Sequence, residues 1–175
     1  MISILEYFHN NGFIHRDIKP NNFLFNYTKP YNKLYLMDFG LSKQYIQNNK
    51  HIDLKTDRSL IGTARYASLN IHWGIEPSRR DDLESVGYIL IYLLKSKLPW
   101  QGLKATKEKS QIQQIGEKKL MISLDKLCEN LDNCFQKYLE YTRQLKFSQK
   151  PDYQHLIKLF TESANKNNIN LSYDL

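Results

Sequence analysis

In this 175-residue chain the run His15-Arg16-Asp17-Ile18-Lys19-Pro20-Asn21-Asn22 is followed, in order, by Asp38-Phe39-Gly40. Asp17 is a short carboxylate able to accept a proton from an attacking hydroxyl, and Asn22, five positions on, offers a neutral oxygen to a hard metal ion. Lys19 adds a mobile positive charge, and Asp38 a second metal-facing group. Leu34-Tyr35-Leu36-Met37 reads as a short apolar strand that delivers Asp38 to a sheet end, where Gly40 lets the backbone turn away and Phe39 packs beneath. A fold that uses these groups jointly must bring two distant stretches together, so that acidic and amide oxygens grip one divalent cation beside a phosphate. The competing reading, in which Asp17 and Asp38 are only turn or cap carboxylates, is opposed by the occurrence of both motifs in order.

Phosphoryl transfer spreads negative charge over the phosphoryl oxygens, so its catalysis is mainly positioning and electrostatic stabilisation, and Lys19 has the sign for that work. The two runs resemble the catalytic loop and magnesium loop of protein kinases. Three further stretches narrow the likeness: Gly62-Thr63-Ala64-Arg65-Tyr66-Ala67-Ser68, Ser78-Arg79-Arg80-Asp81-Asp82-Leu83-Glu84-Ser85-Val86-Gly87, and Leu98-Pro99-Trp100-Gln101-Gly102-Leu103. With Lys150-Pro151-Asp152-Tyr153 they resemble the casein kinase I family of serine/threonine protein kinases, from about Met1 to Phe160.

That resemblance implies ATP and Mg2+ as cofactors, Asp17 as catalytic base, Lys19 on the transferred phosphate, and Asn22 and Asp38 on magnesium. It places Thr63 near the base and implies acidic or already phosphorylated protein substrates, met at an anion site of Arg65, Gly102 and a lysine of the following loop. The stretch from Ala105 to Gln114 departs from the family, which leaves Lys107 and Lys109 as alternatives for that lysine. Asn21 stands where the family commonly has an aspartate. The likeness also implies that Asp82 anchors the catalytic-loop backbone, a role compatible with a simple helix cap, and that Arg16 braces the segment after Gly40 without a phosphorylated loop.

The implied fold is α+β and mainly α-helical, the large lobe of a protein-kinase-like fold with short β-hairpins carrying the catalytic and magnesium loops. Residues 1–163 read as one domain and 164–175 as a polar tail, with frayed ends expected around Asn165-Lys166-Asn167-Asn168. No Gly-x-Gly-x-x-Gly occurs in the sequence, and only one helix, with Ile2, Leu5, Phe8 and His9 on its stripe, precedes His15. The small lobe that would cover the nucleotide is therefore expected to be missing, and the chain to be inactive alone, as a fragment, a truncated product or a lobe completed by another chain. A noncatalytic module that binds acidic or phosphorylated proteins is the alternative, disfavoured by the retention of Asp17, Lys19, Asn22 and Asp38 together.

Hydrophobic residues make up 41% of the chain, enough for one core at this length. Leu83, Val86, Gly87, Leu90, Leu93 and Leu94 predict a central buried helix that ends before Pro99. Phe135, Tyr138, Leu139, Thr142 and Leu145 predict another, and Pro151-Asp152 starts a third with Tyr153, Leu156, Ile157 and Phe160 inward. The net charge of +7 attracts acidic partners without choosing among them. Its densest run, Lys104, Lys107, Lys109, Lys118 and Lys119, reads as a solvated face or an acidic-substrate dock, and no nucleic-acid module accompanies it. Cys128 and Cys134 have neither zinc nor redox spacing, and His9, His51, His72 and His155 lie outside any metal pattern. With no secretory signal and no apolar run long enough to span a bilayer, a cytoplasmic or nuclear location is expected. Thr56, Ser59 and Thr63 are open to phosphorylation, though nothing in the sequence requires it.

Overall fold

A computed structural model describes residues 1–26 and 33–170. Among them are seven helices and three two-stranded antiparallel ladders. Helix α1 (Ile2–Asn10) buries Ile2, Leu5 and His9 and stops at Asn11. The chain then enters β1 (Phe13–Ile14) and a 3-10 turn at Pro20–Asn22, and continues as β2 (Phe23–Phe25), β3 (Leu34–Leu36), β4 (Lys43–Gln44), β5 (Ile46–Gln47) and β6 (Lys50–His51). β2 pairs with β3, with Phe23 opposite Leu36, and β5 pairs with β6. β1 pairs with β4 across the Asp38-Phe39-Gly40 segment, a long-range ladder where the sequence suggested local hairpins.

A short α2 (Leu69–His72) leads into α3 (Arg79–Lys95), followed by α4 (Gln111–Met121), α5 (Leu124–Leu127), α6 (Asn133–Gln144) and α7 (Tyr153–Lys166). The expected stripe on α3 is half right. Leu83 and Val86 are fully buried, but so are Tyr88, Ile89 and Ile91, whereas Leu93 and Leu94 are more than half exposed. The reason is position: the first three turns of α3 are enclosed on every side, so no single stripe describes them, and the last turn emerges from the core. Ser96 in left-handed conformation ends the helix three residues before Pro99.

α6 contributes Tyr138, Leu139, Thr142 and the flanking Leu145 to the core, and α7 contributes Tyr153 and Leu156, as their periodicity predicts. Gly87 is what lets α6 lie so close to α3, because a Cβ there would sit 2.4 Å from Leu139 Cδ2. Asp152 caps α7 through His155 N at 2.9 Å. The polar stretch expected to fray instead closes that helix: it runs to Lys166, and Asn167 Nδ2 donates to Ser163 O and to Asp132 Oδ2. Cys128 and Cys134 are buried free thiols, both pushed up to about 11 by burial. Among the described residues no helix is long and apolar enough to cross a membrane.

Candidate active site

The His15–Asn22 loop hangs from α3 by one carboxylate. Asp82 Oδ2 accepts His15 N at 2.7 Å and its Oδ1 accepts Arg16 N at 2.9 Å. His9 of α1 donates Nε2 to the same carboxylate at 2.9 Å and contacts Tyr153 OH of α7 through Nδ1 at 2.8 Å. Asp82 is therefore the anchor of the loop rather than a cap, and Asp81 takes the terminal role by accepting Ser78 N at 2.7 Å. Two backbone donors held by one carboxylate also explain how Arg16 keeps its left-handed φ of 70°.

His15 fastens the loop to the second motif. It is fully buried, and its Nε2 donates to Met37 O at 3.0 Å while Nδ1 accepts Asp17 N at 3.3 Å, which fixes the Nε2-protonated neutral tautomer. Met37 N in turn donates to Asn22 O at 3.0 Å, one step beyond the β2–β3 ladder. The ladder thus sets Asn22 beside Met37, and the chain leaves at Asp38 with a φ of 62°. Phe39 packs against Phe8 and His15, with ring centroids at 5.3 and 5.7 Å, but keeps half its surface exposed.

Asp17 lies at the centre of this arrangement, 7% exposed. Its Oδ1 accepts Thr63 N at 2.9 Å and Thr63 Oγ1 at 2.7 Å, and its Oδ2 accepts Lys19 Nζ at 2.5 Å. Burial pushes the carboxyl up, but the hydrogen bonds from Lys19 and Thr63 and the lysine's charge outweigh it, and the net shift is downward. Gly62 permits this approach: its φ is 83°, and a Cβ would lie 2.3 Å from Arg16 O. The structure therefore brings Asp17, Lys19 and Thr63 into one hydrogen-bonded group.

Asn22 is buried and donates Nδ2 to Asp17 O at 2.9 Å. Its amide oxygen and the exposed Asp38 carboxylate are hard oxygen donors of the type magnesium takes. No cluster of three or more His, Cys, Asp or Glu able to hold a metal exists among the described residues. Two protein oxygens without a closed cage suit an ion that completes its octahedron with water and phosphate oxygens, so this pair fits magnesium beside a nucleotide.

The family model for the protein kinase domain matches residues 1–169. The chain belongs to the protein kinase family. Membership brings kinase activity and ATP- and metal-dependent phosphoryl transfer in general terms, and the mainly helical architecture with few short strands is kinase-like.

In this kinase Arg65 is exposed, with its guanidinium 5.9 Å from the Tyr66 ring centroid. Trp100 Nε1 donates to Arg65 O at 2.8 Å, which sets the turn containing Gly102 against the Arg65 segment. Of the two candidate lysines, Lys109 is bonded to Glu117 at 2.7 Å and Lys107 is exposed without an ion pair among the described residues, which draw neither lysine to Arg65. The Lys109–Glu117 pair is half exposed, and such a pair is worth only about 0–1 kcal/mol.

Two features of the kinase were not legible in its sequence. Buried Glu76 collects Lys43 Nζ at 2.6 Å and Arg58 Nε at 3.2 Å, and its charge also reaches Arg16, whose own Nε donates to Leu41 O at 2.6 Å. An isolated acid in Gly-Ile-Glu-Pro carries no signal for this. Lys119, expected in a solvated or docking face, is instead fully buried. Its neighbours Lys118 and Glu117 point outward, and helical spacing turns it inward between α2 and α3.

Proposed function

We propose that this chain is the large lobe of a serine/threonine protein kinase of casein kinase I type, which transfers the ATP γ-phosphoryl group to Ser or Thr of acidic or pre-phosphorylated proteins. The observation that carries this reading is the Asp17–Lys19–Thr63 group, which joins the catalytic loop to the Gly62–Ser68 segment typical of that family. Asp17 accepts the proton of the attacking substrate hydroxyl, and its depressed pKa keeps it ionised at neutral pH. Lys19 stabilises the charge that develops on the transferred phosphoryl group, and Thr63 fixes the carboxylate that receives the proton. Asn22 and Asp38 would hold the magnesium, which supplies charge neutralisation at the phosphates. Arg65, outside this group, would meet an acidic or phosphorylated substrate side chain, with Gly102 on the adjoining turn and Lys107 or Lys109 of the following loop as the candidate second cation.

The sequence contains no glycine-rich phosphate loop, so the reading includes a nucleotide-covering lobe contributed by further residues of the same protein or by another chain. The test joins this chain to such a lobe and measures magnesium-dependent transfer from ATP to an acidic serine peptide. D17N should lower kcat about 10²- to 10⁴-fold, and R65A should raise KM for a phosphopeptide with little change in kcat. Arg65-dependent phosphopeptide binding with no nucleotide affinity in the joined protein would instead establish a noncatalytic binding module.

A further inference from the structure

Lys119 is a fully buried lysine whose nitrogen meets no carboxylate among the described residues. Glu84, the acid whose charge acts on it, is hydrogen-bonded to Tyr88 OH, Arg143 Nε and Leu69 N. Lys119 Nζ donates to Ala64 O at 2.8 Å and Ala67 O at 2.5 Å, lies 3.2 Å from His72 Nε2, and sits 4.9 and 5.1 Å from the ring centroids of Tyr88 and Trp100. A desolvated amine is a costly way to fill a core, and the two aromatic faces offset only part of that cost. An apolar side chain of the same length would fill the space but would leave Ala67 O without its donor and Ala64 O with only His72 Nε2, at 3.2 Å.

The placement of those carbonyls is the informative point. Ala64 O and Ala67 O turn inward to Lys119, and Arg65 O between them turns inward to Trp100 Nε1. With three carbonyls of one short segment drawn to the core, the Arg65 side chain is left outside, and Thr63 at the start of the same segment reaches Asp17. The tether needs only two N–H donors, which a lysine supplies whether or not it is charged.

We propose that Lys119 is a positioning residue for substrate recognition: from α4 it pins the carbonyls of Ala64 and Ala67 inward and so presents Arg65 to the acidic group of a protein substrate. The anchor stands on its own geometry, and only the identity of what Arg65 meets rests on the proposed function.

The experiment compares K119M, K119Q and R65A with the unaltered full chain by amide hydrogen exchange and by titration with a phosphoserine peptide. In K119M the Tyr66 and Ala67 amides, both bonded to Thr63 O, should exchange at least about tenfold faster while α3 amides between Leu83 and Ile91 keep their protection. Peptide affinity should fall to the level of R65A. K119Q, which keeps an N–H donor, should recover part of both properties, and it decides the matter if K119M does not fold. Unchanged exchange at Tyr66 and Ala67 would overturn the proposal, as would an equal loss of protection throughout α3, the sign of an ordinary core residue. A wild-type chain that ignores the phosphopeptide would count against the acidic-substrate reading, and the exchange comparison would still decide the anchor.

Discussion

Asp17 illustrates how little of a site's chemistry belongs to a residue by itself. Its short side chain and place in the motif are legible in the sequence, whereas its acidity is set by Lys19, two residues away, and Thr63, brought in by the fold. Because the folded pKa is depressed, the stability this carboxylate contributes is complete above its unfolded value near 3.9 and is lost as pH falls through the lower folded value. Ionised Asp17 should therefore impose no acid limb on kcat/KM near the usual carboxylate range. T63A removes one hydrogen bond to a charged oxygen, an interaction of about 1.5–3 kcal/mol, and leaves the burial that raises the carboxyl. We expect T63A to lower kcat/KM and to move the acid limb toward neutral pH, measured as a pH–rate profile of the chain joined to a nucleotide-covering lobe as in the proposed test. An unchanged profile would mean that Lys19 and the Thr63 N–H set the acidity of Asp17 without the hydroxyl.

At the scale of elements, periodicity succeeded where one face meets one neighbour and failed where a segment is enclosed or pinned from a distance. Tyr138, Leu139 and Thr142 on α6 and Tyr153 and Leu156 on α7 follow the helical stripe that predicted them. α3 does not, since Tyr88, Ile89 and Ile91 are as buried as Leu83 and its terminal leucines are exposed. Glu76 was hidden for a different reason: its partners Lys43 and Arg58 lie far away in the chain, and no local pattern joins them. The acid also accepts no help from helix periodicity, standing between α2 and α3, where Glu76 N donates to Lys55 O at 2.8 Å. It ties β4 and the segment around Arg58 to the body of the protein through an internal carboxylate. E76Q should strand two cations around a neutral amide. The cost should fall short of the about 3–5 kcal/mol typical of a fully buried broken pair, because Lys43 and Arg58 are about one third and nearly one half exposed. Tryptic cleavage after Lys55 and Arg58 should accelerate in E76Q well before the helices unfold; equal resistance in both proteins would show that the acid does not order this segment.

For the molecule as a whole, the sequence revealed the motifs, the helices α1, α3, α6 and α7 and the inward direction of most of their apolar residues, because each is written in local spacing, whereas α4 went unread. It did not reveal how α2, α3 and α4 share buried polar groups, since Ser68, Asp81, His72 and Lys119 become neighbours only after folding. These groups give the protein a pH signature. Burial raises Asp81 to about 6, so the folded state holds a proton between pH 4 and 6 that the unfolded state has released, and this group's contribution falls as pH rises. His72 acts in the opposite sense. Burial first, and then the charge of Lys119, lower it to about 4, so the unfolded state holds the extra proton between pH 4 and 6.5 and stability rises with pH across that window. His51, also lowered by burial, adds to the rise. Each fully offset proton is worth about 1.4 kcal/mol per pH unit, so Asp81 and His72 nearly cancel in the native protein. H72Q removes one side of the balance while keeping a polar side chain beside Ala64 O. The difference in unfolding free energy between wild type and H72Q should therefore change by about 1 kcal/mol or more per pH unit between pH 4.5 and 6, in favour of wild type as pH rises. Urea titrations of both proteins at three pH values measure that slope directly, and parallel curves would mean that His72 is protonated alike in the folded and unfolded states.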